Sequence, residues 1–138
     1  MTTVDEFLSE AALGMRAGII KVDTQGNDLR VLQGAARTLR TDRPWLVVEM
    51  LATPRFVNQA WPREIMLFLE QEKYFLAAEM NEYYTATGWL AWYDACFVPQ
   101  ELFRMDALAN LPRPTAAGAR LRKSSSLRKK LGRIFQAG

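Results

Sequence analysis

The stretch IIKVDTQGNDLRVLQGA, residues 19–35, joins an apolar run, an aspartate, a glycine turn and a helical pattern. The run IIKV is typical of a strand, whereas Leu29, Leu32 and Ala36 recur at the spacing of one helix face. A strand followed by a crossover helix is the beginning of a parallel sheet. Asp23 ends the predicted strand, at the edge where open sheets of this kind form their ligand crevices.

The flanking sequence predicts further elements of the same fold. Thr3 or Thr2 is the predicted cap of an amphipathic helix that runs up to Gly14, and Pro62 begins a later helix, PREIMLFLEQEK. Four strands are predicted, over residues 19–23, 46–50, 74–79 and 94–98. We expect one sheet in which the first two strands are parallel and the last two form an antiparallel pair. The predicted fold class is therefore α/β, with a mostly parallel sheet and an antiparallel last strand.

Composition limits the chemistry that the chain can perform. Its 138 residues, 49% of them hydrophobic, suit one globular domain. The chain has no histidine, the commonest metal ligand and general base, which argues against zinc enzymes and serine–histidine hydrolases. No metal site is predicted. Cys96, the single cysteine, lies in an apolar run and is predicted to be a buried thiol.

Charge is divided unevenly along the chain. Residues 113–138 carry eight cations and no acid, so the other ten cations and fifteen acids give residues 1–112 a charge of −5. Pro112 and Pro114 mark the junction, and we predict a domain over residues 1–111 and a flexible or amphipathic tail over residues 112–138. The tail suits an anionic membrane surface or nucleic acid. Because the N-terminus lacks a signal-peptide pattern, the expected location is the cytoplasm. Binding of the tail to a membrane would place the protein at the membrane surface.

Two carboxylates are the candidate reactive groups. Glu49 ends the second predicted strand as Asp23 ends the first, so both should face one cavity. A structural interpretation stands beside this one: Lys21 lies on the same side of its strand and can pair with Asp23. Asn27 or Asp28 can serve as a helix N-cap, and Gly34 can permit close packing of helix against sheet. In the aromatic segment that follows residue 80, Tyr84 and Trp89 are candidates for stacking on a substrate, with ordinary hairpin packing as the alternative.

The order of short motifs resembles the FkbM-type methyltransferases. The matching elements are the tetrad VDEF, the strand and turn KVDTQGND, the helix VLQGA, the strand end VE and the final strand DACFVP. Asp28 stands where the family usually has glutamate. The resemblance covers about residues 2–100 and implies a partial doubly wound, Rossmann-like methyltransferase sheet. It also implies S-adenosylmethionine as the cofactor and a hydroxyl on a small molecule, glycan or lipid as the methyl acceptor.

The resemblance assigns expected roles to these residues. Asp23 is the expected base for the acceptor hydroxyl, and Glu49 is the second choice. Gln25, Gly26, Lys21, Tyr84 and Trp89 are substrate-side candidates. The family's glycine-rich cofactor loop has no counterpart before Val4, so cofactor-binding residues stay unassigned, and the chain is expected to be a C-terminal half that is inactive alone. A missing N-terminal half is then an expected partner. The alternatives are a non-catalytic interaction module and a protein that binds through its basic tail.

Overall fold

The computed structural model describes residues 2–11 and 14–102. The predicted domain end near Leu111 and the basic tail of residues 112–138 lie outside this part of the chain. Helices and strands alternate along it. The elements are α1 (Val4–Ala11), β1 (Ile19–Val22), α2 (Asp28–Gln33), α3 (Ala36–Thr41), β2 (Trp45–Leu51), α4 (Pro62–Gln71), β3 (Tyr74–Tyr84), β4 (Leu90–Pro99) and a 3₁₀ turn (Gln100–Leu102).

The four strands form one sheet, as predicted, and their order in it is β1-β2-β4-β3. β1 and β2 are parallel, with Ile19 opposite Trp45 and Val22 opposite Val48. β4 is antiparallel to both of its neighbours, β2 and β3. Three strands thus share one direction and the last runs against them. Because that last strand is inserted between β2 and β3, however, only one of the three hydrogen-bonded pairs is parallel.

The aromatic segment after residue 80 extends two strands. β3 and β4 are longer than predicted, and a tight turn joins them, in which the Thr85 amide donates to the Trp89 carbonyl at 2.7 Å. Gly88 has a φ of +90°, a conformation that glycine adopts without steric cost. The turn is short enough to force the antiparallel pairing of β3 with β4.

One face of the sheet carries the hydrophobic core. Side chains alternate along a strand, so every second residue of β2 points to this face, and Leu46, Val48 and Met50 are all fully buried. Helices α2, α3 and α4 contribute Leu32, Leu39, Ile65 and Leu69 to the same cluster, and β4 contributes Tyr93, Ala95 and Phe97. Cys96 is buried and unpaired, as predicted.

The second face of the sheet holds the alternate residues of the same strands. Several large apolar side chains on it remain exposed: Ile19 is 73% exposed, Trp45 48% and Tyr83 55%. The charged residues Glu49 and Asp94 lie directly opposite each other on this face. Exposed apolar side chains grouped on one face mark a surface to which further structure can pack.

The crossover between β1 and β2 is not the single helix that the sequence pattern indicates. It is divided into α2 and α3 at Gly34, where the Gly34 carbonyl accepts a hydrogen bond from the Asp5 amide at 2.9 Å. A Cβ at Gly34 would lie 3.2 Å from the Thr3 Cβ. The prediction that Gly34 permits packing of helix against sheet is therefore wrong, because its close neighbour is the segment that precedes α1.

Side chains of the N-terminal segment stabilise both α1 and α3. The Thr3 hydroxyl accepts from the Glu6 amide at 3.1 Å, and the Thr3 amide donates to the Glu6 carboxylate at 2.8 Å, which confirms Thr3 as the cap. The Asp5 carboxylate accepts from the amides of Arg37 and Thr38 and from the Thr38 hydroxyl. Asp5 therefore caps α3 from outside that helix.

Candidate active site at the carboxyl ends of β1 and β2

Asp23 is the first residue after β1 and is exposed to solvent. Its two carboxylate oxygens have separate partners: Lys21 Nζ lies 3.4 Å from Oδ2, and Gln25 Nε2 donates to Oδ1 at 3.2 Å. Both partners are substrate-side candidates from the sequence, and both contact Asp23. The ion pair with Lys21 that a structural interpretation requires is thus present. Both side chains of the pair remain partly exposed, so Asp23 is still accessible to solvent.

The loop after Asp23 is held by Asp28, which is only 2% exposed. One Asp28 oxygen accepts from the Thr24 amide at 2.8 Å and from the Thr24 hydroxyl at 2.9 Å, and the other accepts from the Gly26 amide at 3.2 Å. Asn27 occupies the N-cap position of α2 without a side-chain capping bond. Of the two predicted N-cap residues, Asn27 thus takes the position but makes no capping bond, and Asp28 instead bonds back to the loop that it closes.

Gly26 is required by two separate constraints. Its φ of +98° favours glycine, and a Cβ there would lie 3.0 Å from the Cβ atoms of Phe56 and Gln59. Gln25 also has a positive φ, of 55°, which is uncommon for a residue with a side chain. The loop after β1 therefore packs directly against the loop after β2.

Gln59 organises that second loop and is itself buried. Its side-chain oxygen accepts from the amides of Arg55 and Phe56, at 2.7 and 3.0 Å, and its nitrogen donates to the Thr53 carbonyl at 3.0 Å. Gln59 is not among the residues predicted from the sequence. Its position within a polar loop, three residues before Pro62, gives no periodic signal that would distinguish it from a solvated side chain.

Glu49 lies inside β2 and not at its end. The prediction of a strand-ending position is wrong, because the pairing of Met50 and Leu51 with Tyr93 and Trp92 of β4 extends β2 by two residues. The Glu49 side chain projects from the second face of the sheet, and its Oε2 is buried without a hydrogen-bond partner among the described residues.

Electrostatic coupling links Glu49 to Asp23. Burial is the largest influence and raises the pKa of Glu49 above its ordinary value, and the negative charges of Asp23, Asp28 and Asp94 raise it further. Arg55 opposes this rise in the pKa. The negative charge of Asp23 therefore acts on Glu49, the second carboxylate that the sequence selects.

Aromatic side chains flank the carboxylates on the second face. Trp92 and Tyr83 stack with their ring centroids 4.6 Å apart, and the Arg55 guanidinium lies 4.3 Å from the centroid of the Trp92 ring. The two aromatic candidates selected from the sequence lie at the turn end of the β3–β4 hairpin. Tyr84 donates to Glu82 at 2.8 Å, and Trp89 is 71% exposed. No contact joins either of them to Asp23 or Glu49 in the part of the chain that the structure describes.

Two cavities lie elsewhere on the surface. One, of about 480 Å³, is lined by residues of α1 and β1, including Phe7 and Ile19. The other, of about 290 Å³, lies beside α1 and is lined by residues including Asn27 and Arg30. Neither is lined by Asp23 or Glu49.

Within residues 2–11 and 14–102, no group of three or more His, Cys, Asp or Glu side chains is suited to hold a metal ion. In the same part of the chain, no helix is long and apolar enough to cross a membrane. The candidate site offers two carboxylates that can accept a proton: Asp23, on a loop that packs against the loop after β2, and Glu49, on β2 itself. Such a site suits proton abstraction from a bound hydroxyl or amine.

The sheet is that of a mixed α/β domain, and it carries two carboxylates near the carboxyl ends of β1 and β2. Residues 1–76 match the family model described as Methyltransferase FkbM domain, which is more than half of the 138 residues. The chain therefore belongs to the FkbM methyltransferase family. No curated protein and no solved structure gives a significant match to the chain.

Proposed function

We propose that this chain forms the acceptor side of an S-adenosylmethionine-dependent O-methyltransferase. The observation that carries the proposal is the position of Asp23, directly after β1, on a loop locked by Asp28 and in electrostatic contact with Glu49. Asp23 takes the proton of an acceptor hydroxyl, and its contacts with Lys21 and Gln25 hold the carboxylate in place. Glu49 is the second carboxylate of the site. The acceptor is a hydroxyl on a small molecule, glycan or lipid.

The described residues do not fit a cofactor loop. The one strand, glycine turn and helix among them is β1–Gly26–α2, and the Gly26 amide is already bonded to Asp28. Phe56 and Gln59 fill the space beside Gly26 that a close phosphate or nucleotide would need. S-adenosylmethionine, when bound, supplies the methyl group. We assign its binding to a glycine-rich unit outside the described residues, which would also cover the second face of the sheet.

The first experiment tests cofactor binding. The 138-residue chain alone should bind S-adenosylmethionine weakly or not at all in isothermal titration, and it should show no turnover. Tight binding by the chain alone would contradict the assignment of the cofactor loop to another segment.

The second experiment tests Asp23 with the cofactor-binding half of an FkbM methyltransferase supplied, fused or as a separate chain. Asp23→Asn should lower kcat by roughly 10²–10⁴-fold, the contribution of a positioned general base, and leave cofactor affinity nearly unchanged. Glu70→Gln, an exposed change on α4, is the matched control and should leave kcat unaltered. An unchanged kcat in Asp23→Asn would show that Asp23 is only a turn residue and not the base.

A second candidate function is a non-catalytic module that binds through its basic tail. The observation that favours it is the run of eight cations without an acid in residues 113–138. Deletion of these residues should leave the Tm nearly unchanged but weaken binding to phosphatidylserine vesicles or to duplex DNA at low salt, where electrostatic attraction is strongest. Such a protein would work in the cytoplasm. If the tail binds the vesicles, the protein would work there at an anionic membrane surface. Equal binding by the full and shortened chains would contradict this second candidate function.

A further inference from the structure

Arg55 differs from the arginines that stabilise the fold. It lies four residues after the end of β2, in the loop that Gln59 organises, and its own amide donates to Gln59 at 2.7 Å. Its guanidinium contacts the Trp92 ring but makes no hydrogen bond or ion pair within the described part of the chain. The attraction of a cation to a ring face satisfies none of the five guanidinium N–H donors. Arg55 therefore presents a positioned charge with its donors unused.

The surroundings of Arg55 place it inside the candidate site. Trp92 pairs with Leu51, two residues along β2 from Glu49, and Asp94, opposite Glu49, is two residues along β4 from Trp92. Alternation puts Trp92, Asp94 and Glu49 on the same face of the sheet. Arg55 also acts on Glu49 electrostatically, because its charge opposes the rise in the Glu49 pKa.

Nearby negative charge does not cancel the attraction of Arg55 for an anion. Asp23 is paired with Lys21 at 3.4 Å, and Asp94 accepts from Asn81 at 2.7 Å. Asp28 accepts three hydrogen bonds and is buried. Glu49 has a raised pKa, chiefly because of burial, so its negative charge is disfavoured.

We propose that Arg55 is the specificity-determining residue of the acceptor site and that it binds an oxyanion, a carboxylate or phosphate, carried by the hydroxyl-bearing acceptor. This proposal rests on the proposed function. The guanidinium edge matches the two oxygens of such a group, which it binds through paired hydrogen bonds. The Trp92 ring contacts both the Arg55 guanidinium and the Tyr83 ring and so holds the guanidinium in place, while the exposed Tyr83 adds apolar surface suited to the ring of a sugar acid or an aromatic hydroxy acid. The acceptor hydroxyl then lies toward Asp23.

The test is an NMR titration of the full chain with two sugars that differ in one group. Methyl glucuronide carries a carboxylate where methyl glucoside carries a neutral hydroxymethyl group. The Arg55 Nε–H and Trp92 indole signals should shift with both sugars, and the glucuronide should bind about 10-fold more tightly or better, as a charge-assisted hydrogen-bonded pair allows. Arg55→Met should reduce this preference to about one, and Arg55→Lys should retain part of it. Arg63→Met, an exposed change on α4, is the control and should keep the full preference.

Three outcomes would overturn the proposal. These are equal affinity for the two sugars, a preference that survives Arg55→Met, and Arg55 signals that respond to S-adenosylhomocysteine but not to the glucuronide. Circular dichroism melts of each variant exclude unfolding as the cause of lost binding. The titration needs no methyl transfer, so the two proposals can fail separately. If Asp23→Asn has an unchanged kcat but the titration succeeds, Arg55 binds an anion and the proposed enzyme is contradicted. If only the titration fails, the enzyme acts on a neutral acceptor and the role of Arg55 is contradicted.

Discussion

The two ends of the sheet contain similar charged residues that differ in how far they are hydrogen-bonded. Before β2, the Arg43 guanidinium donates to both Glu101 oxygens, at 2.6 and 2.8 Å, and to the carbonyls of Leu39, Glu72 and Lys73. At the other end of β2, Glu49 has a buried oxygen without a partner and Arg55 has no acceptor among the described residues. The first end is saturated with hydrogen bonds, whereas the second keeps polar groups available. Perturbed, unpaired groups of this kind are typical of functional sites.

The saturated end extends beyond Arg43. Arg40 binds the Glu72 carboxylate through two hydrogen bonds, at 2.7 and 2.5 Å, and Glu72 is largely buried. Arg43 also lies 4.7 Å from the centroid of the Tyr74 ring, and the Tyr74 hydroxyl donates to the Leu39 carbonyl at 3.2 Å. These contacts join α3, α4, β3 and the 3₁₀ turn at one point, so we expect this end to contribute to stability.

The largest expected effect on stability is that of Arg43→Met. Methionine keeps the stem of the side chain but removes the guanidinium donors of Glu101 and of the part-buried Glu72 carbonyl, whereas the Leu39 and Lys73 carbonyls each keep a second donor. Each buried acceptor left unpaired costs roughly 1–3 kcal/mol, and partial access of water reduces the sum. The free energy of unfolding at pH 7 should therefore fall by about 2–4 kcal/mol, measured by urea denaturation. Arg63→Met should change it by less than about 0.5 kcal/mol. A loss as small as the control's would show that the contacts at this end do not stabilise the fold.

The strands were predictable from sequence because each depends on local pattern. The runs IIKV and PWLVVEM placed β1 and β2 to within about two residues, and the crossover between them fixed their parallel pairing. The ends were less predictable. β2 extends to Leu51 because β4 pairs with it there, and the crossover helix divides at Gly34 because Asp5 and Thr3 approach from a distant segment. Neither partner can be recognised from the local sequence.

The site was predictable in part, for the same reason. The position of Asp23 could be predicted because it directly follows an apolar strand, and Lys21 and Gln25 are close to it in sequence and contact it in the structure. Arg55, Gln59 and Asp94 were missed, since their roles depend on contacts between two loops and across two strands. Tyr84 and Trp89 were preferred over Tyr83 and Trp92 because composition alone cannot tell which aromatic residues of a hairpin face the sheet and which lie at its turn.

A smaller effect distinguishes the two ends by the sign of their pH dependence. Glu49 has a raised pKa in the folded chain, chiefly from burial. Its contribution to stability is therefore fully present below the ordinary value of 4.5 and is lost as the pH rises through the folded-state pKa. Hydrogen bonds from Arg43 lower the pKa of Glu101 to about 2. Its contribution is present above 4.5 and is lost as the pH falls toward 2.

Glu49→Gln and Glu101→Gln should therefore differ in sign at pH 7. Glu49→Gln removes a charge that folding disfavours, so it should raise the urea midpoint at pH 7 and lose this advantage at pH 4. Glu101→Gln should lower the midpoint at pH 7. The free energy of unfolding should fall by less than about 1 kcal/mol, because the Glu101 side chain is 54% exposed and the pair with Arg43 is screened by solvent. Added salt at 1 M should weaken the Glu101 effect more than the Glu49 effect, since salt screens exposed charges but does not relieve burial. If Glu49→Gln shifts the midpoint equally at pH 4 and pH 7, the Glu49 carboxylate titrates normally, and the two ends of the sheet do not differ in the way that the contacts indicate.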